Sequence, residues 1–226
     1  MNNIYMPTGQ PEDWKRFLAK PDLHWKSEYS AKELAYCWEN SNGFPTSIER
    51  VIKKSGINDL QKQEILFAIP EYKVPLPGGS RSSQNDLFVA SRSESGILWV
   101  TMIEGKATES FGPTVGEWLI DASDGKEERL KFLCNELEII SELPENLRYQ
   151  LFHRTVSAIL TAKKLNTTHA MMLVHSFSEA KDGLRDYLNF LDFLGVEGEE
   201  NQILKTNLQN IDLYIGWVTE GKFWAP

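Results

Sequence analysis

One short segment, residues 169–177 (HAMMLVHSF), most constrains what this chain can fold into. It is a short, continuous apolar run, without the alternation of polar residues that marks a half-exposed strand. Such a run predicts a strand that is buried on both faces. A strand of this kind needs cover on each side, so we expect a sheet with a layer of other structure on both faces.

The remaining patterns place helices and a hairpin around that segment. Helices are predicted over residues 12–20, 30–40, 46–54, 60–67, 126–138, 144–164 and 184–194. Strands are predicted over 86–92, 97–106 and 211–218, with 93–96 as a hairpin turn. Ser30 and Glu33 form a capping-box pattern, Gly56 ends the third helix, and Pro144 suits a first helical position. This order predicts an α+β fold, an α/β sandwich in which helices flank a mixed sheet with a hairpin core.

Length and composition limit the organisation and the class of function. We expect one domain, with a helical N-terminal region over 1–65, a core over 66–180, and a C-terminal helix and strand over 181–226. The formal net charge of −8 repels nucleic acid and anionic membranes at long range, so any contact with nucleic acid must be local. The chain shows no membrane-span pattern and its opening residues do not look like a secretion leader, so a cytoplasmic protein without membrane contact is expected. The pattern leaves the state of homo-oligomerisation open.

Acidic and basic residues converge at one end of the predicted hairpin. Glu104 and Lys106, on either side of Gly105, project from the same strand face because side chains alternate along a strand. The register that the turn allows places Asp86 opposite residue 103 or 104, so two carboxylates and an ammonium share one patch. Such a patch can hold a divalent cation through oxygens, while the lysine activates water and offsets charge on phosphate. The simpler alternative is a solvated charge pair at a strand end.

The residues of this patch resemble those of a known superfamily. Asn85-Asp86, the hairpin and Glu104-Gly105-Lys106 resemble the PD-(D/E)XK nuclease superfamily, whose fold is restriction-endonuclease-like. The resemblance implies a Mg²⁺ or Mn²⁺ ion held by Asp86, Glu104 and the carbonyl of Gly105, with Lys106 near the attacking water. It departs from the superfamily pattern at Asn85, which stands where the name places a proline. The segments IPEYKVPLPGG, SQNDLFVASR, EGKATESFGPTVGEW and RYQLFHRT also look like a bacterial family of uncharacterised proteins.

The helix predicted over 144–164 supplies further candidates. Gln150 and Arg154 lie on a polar stripe that carries few of the Lys and Glu residues of a solvated face, and His153 lies beside it. In the resembling superfamily this helix packs across the hairpin and often contributes a glutamine or a basic side chain, which Gln150 and Arg154 match. Glu71 and Lys73 repeat the E-x-K spacing, and at most a role in supporting the site is expected for them.

These features leave two main hypotheses and a weaker third. The first is a magnesium-dependent phosphodiesterase that acts on nucleic acid, in which Lys106 is an exposed, unpaired lysine whose removal costs little stability. The second is a catalytically silent domain of nuclease-like fold that serves as a binding or regulatory module. A small-molecule hydrolase is the third. Binding of a divalent metal by Asp86 and Glu104 separates the first two. His169 and His175 flank the buried strand, where a histidine is typically hydrogen-bonded in the core and not a ligand.

Overall fold

The computed structural model describes residues 8–221 and contains a six-stranded mixed sheet. The strands are β1 (Glu64–Val74), β2 (Ser83–Arg92), β3 (Leu98–Lys106), β4 (His169–Ser176), β5 (Gln202–Leu208) and β6 (Ile211–Thr219). Their spatial order is β1-β2-β3-β4-β6-β5. Strands β1, β2 and β3 are antiparallel to one another, β4 runs parallel to both β3 and β6, and β5 is antiparallel to β6.

Helices cover both faces of this sheet. They are α1 (Pro21–His24), α2 (Ser30–Glu39), α3 (Thr46–Ser55), α4 (Val115–Leu119), α5 (Asp124–Glu136), α6 (Tyr149–Lys164) and α7 (Leu184–Phe193), with 3-10 turns at Pro11–Phe17 and Asn58–Leu60. One apolar core lies under α5, α6 and α7, and the other lies under α2 and α3. The predicted α/β sandwich with a mixed sheet is therefore confirmed. Among the described residues, no helix is long and apolar enough to cross a bilayer.

Strand β4 occupies the interior position that its sequence predicts. All of its residues after His169 are buried. Met172 and Val174 join the core under α6, while Met171 and Leu173 join the core under α2 and α3. Both faces of the strand are thus covered, which explains why its sequence shows no polar alternation.

The register of the β2–β3 hairpin is one of the two that the turn allows. The amide of Ser93 donates to the carbonyl of Ile97 at 2.9 Å, and the ladder continues to the pair Leu87 and Ile103. Continuing this register by one step places Asp86 opposite Glu104. The hairpin therefore brings the two predicted carboxylates to the same end of the sheet.

The prediction of a helix over residues 60–67 is wrong. A 3-10 turn ends at Leu60 and β1 begins at Glu64, so the predicted border between helical region and core, at residues 65 and 66, falls inside a strand. The segment mixes polar and apolar residues, and the pairing of its second half with β2 outweighs the helical pattern. Because β1 is an edge strand, Pro70 is tolerated within it.

Three local predictions about the helices also need correction. The prediction of a capping box at Ser30 is wrong, because Ser30 is itself helical. Its amide donates a hydrogen bond of 3.0 Å to Oε1 of Glu109, a residue that follows β3. Helix α6 begins at Tyr149, so Pro144 lies in the preceding loop. The segment predicted as a helix over 12–20 forms a 3-10 turn that ends at Phe17. The end of α3 is as predicted, since Gly56 adopts a left-handed conformation at φ 67°.

Candidate functional site

The candidate site lies where β2 and β3 separate, beyond the last ladder pair of the hairpin. There Oδ2 of Asp86 accepts a hydrogen bond of 2.8 Å from the backbone amide of Gly105. This bond joins the lone aspartate to the Glu104-Gly105-Lys106 triplet, as the sequence predicts. The contribution of Gly105 in this structure is its amide, and a role for its carbonyl as a metal ligand stays a prediction.

Glu104 is the centre of a buried network of charges. Its Oε1 accepts hydrogen bonds from Nζ of Lys106 at 2.7 Å and from Nε2 of Gln150 at 2.6 Å. Its Oε2 accepts from Nε of Arg154. Glu104 is 2% exposed, Lys106 3% and Arg154 6%, so these charges lie out of solvent. The expectation that Lys106 is exposed and unpaired is wrong, because the first turn of α6 packs over the end of β3.

Burial next to an aromatic ring also holds the Lys106 ammonium in place. Nζ of Lys106 lies 4.7 Å from the centroid of the Phe111 ring. Phe111 is fully buried, so the ammonium contacts the ring face in a site of low polarity, where a cation–π contact is strongest. Lys106 is therefore held between a carboxylate and an aromatic ring.

A second layer of polar contacts connects α6 to the start of β2. Oγ of Ser83 lies 2.8 Å from Nδ1 of His153 and accepts a hydrogen bond of 3.2 Å from Nη1 of Arg154. His153 thus lies beside the site, as the polar stripe of the helix predicts. Ser83 was missed because a serine at a strand start carries no distinctive signal.

Glu71 lies at the candidate site, whereas Lys73 does not. The register of β1 on β2 passes from the pair Pro70 and Leu87 to the pair Tyr72 and Asn85, which places Glu71 opposite Asp86. Glu71 accepts a hydrogen bond from Nε2 of Gln84 and has a left-handed φ of 53°, a strained value for a residue inside a strand.

Lys73 is exposed and does not line the cavities at this site. Of this pair of residues, the structure therefore brings only Glu71 to the site.

The environment separates the pKa values of the acids. Burial raises the pKa of Asp86 well above its usual range, and the negative charge of Glu104 adds to this effect, while Arg154 opposes it. Burial acts on Glu104 as well, but Arg154 and Lys106 outweigh it and lower the pKa of Glu104. Burial also raises the pKa of Glu71 to about 7. Glu104 is therefore a carboxylate, whereas Asp86 and Glu71 bind protons more readily.

His153 is held in its neutral form. Burial lowers the pKa of His153 well below its ordinary value, and the nearby cation Arg154 lowers it further. The ring can therefore accept or donate a hydrogen bond without adding positive charge to the site.

The oxygens of the site fit a hard divalent cation. Each carboxylate oxygen can accept two hydrogen bonds. Among residues 8–221, Oε1 of Glu104 uses both of its positions and Oε2 uses one, while Asp86 is bonded through Oδ2 alone. Acceptor capacity thus remains on Oε2 of Glu104 and on both oxygens of Asp86. Magnesium needs no more than one or two protein carboxylates.

Two adjoining cavities open onto Asp86. The larger, of about 550 Å³, is lined by Asp86, Glu104, Lys106, Gln150 and Arg154, among others. The smaller, of about 230 Å³, is lined by Asp86, Glu71 and Arg154. Asp86 therefore lies at the junction of the two cavities, which together form one cleft.

The segment that joins α1 to α2 forms another wall of this cleft. His24, Tyr29, Ser30 and Glu109 line both cavities. Glu109 is fixed there because its carboxylate accepts the amides of Ser30, at 3.0 Å, and Ala107, at 3.3 Å. Sequence reasoning missed these four residues, since they are separated along the chain and show no common spacing.

Gly105 lies where α2 closely approaches the sheet. A Cβ at this position would lie 3.1 Å from Cβ of Ser30 and 3.4 Å from Oδ2 of Asp86. The glycine therefore lets the helix start pack directly behind the strand that carries Glu104 and Lys106.

The fold and the site define an α/β sandwich with a buried cluster of acids and bases at the end of its hairpin. Comparison with family models shows that the chain belongs to a family described as a domain of unknown function, DUF6946, whose model matches residues 7–222. Searches of the curated proteins and of the solved structures found no match.

Proposed function

We propose that this protein is a phosphodiesterase that depends on Mg²⁺ or Mn²⁺, acts on nucleic acid and belongs to the PD-(D/E)XK class of nucleases. The observation that carries the proposal is the convergence of Asp86, Glu104 and Lys106 at the mouth of the β2–β3 hairpin. Antiparallel β1, β2 and β3 followed by a helix and a parallel β4 support the same class.

Asp86 and Glu104 would hold the cation. When bound, it would polarise a phosphate oxygen and lower the pKa of a bound water. Asp86 must lose its proton to act as a ligand, and its raised pKa makes binding stronger as the pH rises.

Lys106 would orient the attacking water and stabilise negative charge on phosphorus. Its Nζ is already fixed 2.7 Å from Glu104, so little reorganisation is needed when charge develops. In hydrolysis, the water oxygen forms a bond to phosphorus and the bond from phosphorus to the leaving oxygen breaks. A proton from water then neutralises the leaving oxygen.

Gln150, Arg154 and His153 would position these groups. Gln150 and Arg154 both donate to Glu104, and so fix the orientation of its carboxylate. His153 reaches the network through Ser83. These residues line the larger cavity, where a phosphate can also contact Arg154.

The substrate and the location follow from charge and from the cysteines. With a net charge of −8, the protein must recognise nucleic acid locally, within the cleft. Cys37 and Cys134 are both free thiols. Free thiols fit a cytoplasmic location, where reducing conditions prevail.

One observation favours the alternative function, a silent binding or regulatory module. Arg154 and Lys106 already neutralise Glu104 by buried ion pairs, and a metal ion must compete with them. If these ion pairs balance the charge of Glu104 without a metal ion, the network would stabilise the fold and would not bind a cation.

Calorimetry with Mn²⁺ distinguishes the two functions. The wild-type protein should bind one Mn²⁺ ion between Asp86 and Glu104, and Asp86→Asn and Glu104→Gln should each weaken binding by at least about tenfold. Glu94→Gln, which changes an exposed carboxylate of the hairpin turn, is the control and should bind as wild type. Absence of Mn²⁺ binding in the wild-type protein would reject the metal site and leave the silent module.

A further inference from the structure

A second cluster of metal-ligating atoms lies on the other face of the sheet, in the core under α2 and α3. It combines Cys37 of α2, His175 of β4 and Glu220, which directly follows β6, and their ligand atoms all lie within 4.8 Å of one another. Sγ of Cys37 lies 3.5 Å from Oε2 of Glu220, and Nε2 of His175 lies 3.3 Å from the same oxygen. Three distant parts of the chain thus place sulfur, nitrogen and oxygen around one point.

Among the described residues, the carboxyl group of Glu220 has hydrogen-bonding partners in this cluster but no lysine or arginine partner. Oε2 of Glu220 accepts a hydrogen bond from Oγ of Ser47 and lies 3.3 Å from Nε2 of His175. Within residues 8–221, no Lys or Arg forms an ion pair with Glu220. A half-buried carboxylate of this kind favours the arrival of a cation.

We propose that Cys37, His175 and Glu220 form a zinc site. Zinc bonds of about 2.3 Å to sulfur and about 2.0 to 2.2 Å to nitrogen and oxygen, in a tetrahedron, separate neighbouring ligands by roughly 3.4 to 3.6 Å. The separations from Oε2 of Glu220, 3.5 Å to Sγ of Cys37 and 3.3 Å to Nε2 of His175, are close to this spacing, and all three ligand atoms lie within 4.8 Å of one another. Sulfur and imidazole ligands favour zinc over the hard cations that suit Asp86 and Glu104.

The fourth position has a donor and a route beside it. Oγ of Ser47 lies 2.5 Å from Oε2 of Glu220 and 3.4 Å from Nε2 of His175. A cavity of about 120 Å³ next to Ser47 is lined by Ser47, Arg50, Val51, Lys54, Asn201 and Thr219. A water molecule can complete the tetrahedron, whereas Oγ of Ser47 lies too close to Oε2 of Glu220 to share the ion with it and serves as a hydrogen-bond donor. Binding replaces the thiol proton of Cys37 with the metal, and the proton passes to water.

In the metal-free protein, a hydrogen bond from Trp38 to His175 disfavours zinc binding at this site. Its Nε1 donates to Nδ1 of His175 at 3.3 Å, which requires that Nδ1 carry no proton. A metal at Nε2 requires the proton to move to Nδ1, where it would face the indole N–H. Zinc binding must therefore shift Trp38, and removal of the indole N–H should tighten it.

Titration with Co²⁺, as a coloured substitute for Zn²⁺, tests the proposal. The wild-type protein should bind one equivalent with a near-ultraviolet band from cobalt–thiolate charge transfer, and Zn²⁺ should remove the band. Cys37→Ser should abolish the band, Glu220→Gln should weaken binding by at least about tenfold, and Trp38→Phe should tighten it.

Two variants serve as matched controls. Cys134→Ser removes the other thiol, and Asp86→Asn alters the proposed hard-metal site; both should keep the cobalt band. Circular dichroism confirms that each variant is folded. A band that survives in folded Cys37→Ser, or absence of the band from both wild type and Trp38→Phe, would overturn the proposal.

Discussion

Arg154 donates a hydrogen bond from its Nε to Oε2 of Glu104, and this buried ion pair ties α6 to the end of β3. The acid that the hairpin pattern singles out is thereby kept ionised, since Arg154 lowers its pKa. The same bond fixes the carboxylate on the face of the sheet that carries Asp86. Stability and the proposed chemistry therefore depend on the same contact.

Arg154→Ala should destabilise the protein strongly. It leaves the buried Glu104 with Lys106 as its remaining cationic partner, and loss of one partner of a buried pair costs about 3 to 5 kcal/mol. Urea unfolding measures the loss. Arg92→Ala, which breaks an exposed pair with Glu64, should cost less than about 1 kcal/mol. Equal costs for the two variants would show that the buried pair is not a stabilising contact.

Lys106→Ala should reduce both stability and turnover. Lys106 and Lys163 each pair with a glutamate at 2.7 Å, but their side chains are 4% and 36% exposed. Removal of the buried lysine should cost about 2 kcal/mol or more, because Glu104 loses a cation, whereas Lys163→Ala should cost less than about 1 kcal/mol.

Turnover is measured on folded Lys106→Ala below its melting temperature. It should fall by about a hundredfold or more, the scale of the loss of one preorganised charge. Full turnover in this variant would contradict the role given to Lys106.

Glu71→Gln should remove part of the pH dependence of stability. The folded pKa of Glu71 is about 7, above its ordinary value of 4.5, so the folded protein binds this proton more tightly than the unfolded chain. The contribution is present at low pH and is lost as the pH rises through about 7. The free energy of unfolding should therefore fall by roughly 1 to 3 kcal/mol more in the wild type than in Glu71→Gln between about pH 5 and pH 8. Parallel pH curves for the two proteins, from denaturant unfolding without metal, would refute this.

Gly105→Ala should perturb the contact between Asp86 and the triplet. The added methyl would lie 3.1 Å from Cβ of Ser30, so α2 or β3 must shift. We expect a loss of roughly 1 to 3 kcal/mol and weaker Mn²⁺ binding, measured by thermal unfolding and calorimetry. Gly221→Ala, where a Cβ meets no atom of the described residues within 4 Å, is the matched control and should change neither quantity. Wild-type values in Gly105→Ala would show that the close packing is not required.

Local sequence patterns were sufficient to predict the β2–β3 hairpin and the central strand β4. The turn between Ser93 and Ile97 restricts the register to two choices, and both bring Asp86 next to the triplet. The apolar run of β4 is unambiguous because both of its faces are buried. In these segments the periodicity itself carries the tertiary information.

Elements that depend on distant partners could not be predicted in this way. The start of β1 is decided by its pairing with β2, because the mixed polar and apolar residues over 60–67 do not distinguish helix from strand. Strand β5 was missed, although Gln209 and Asn210, both with positive φ, form its turn to β6. The cap of α2 comes from Glu109, 79 residues away from Ser30.

The burial of Lys106 likewise follows from α6 and Phe111, and neither is adjacent to it in sequence. Exposure of a charged side chain is set by what packs over it, which alternation along a strand does not reveal. The same reason explains why the cleft wall at His24 and Tyr29 was missed.

The most direct test of the central claim is cleavage of labelled nucleic acids, single- and double-stranded DNA and RNA, with Mg²⁺ or Mn²⁺ and with EDTA. We predict cleavage of at least one substrate by the wild-type protein that EDTA abolishes and that Asp86→Asn reduces by about a hundredfold or more. Absence of cleavage across the panel by folded wild-type protein, or equal cleavage by Asp86→Asn, would contradict the account.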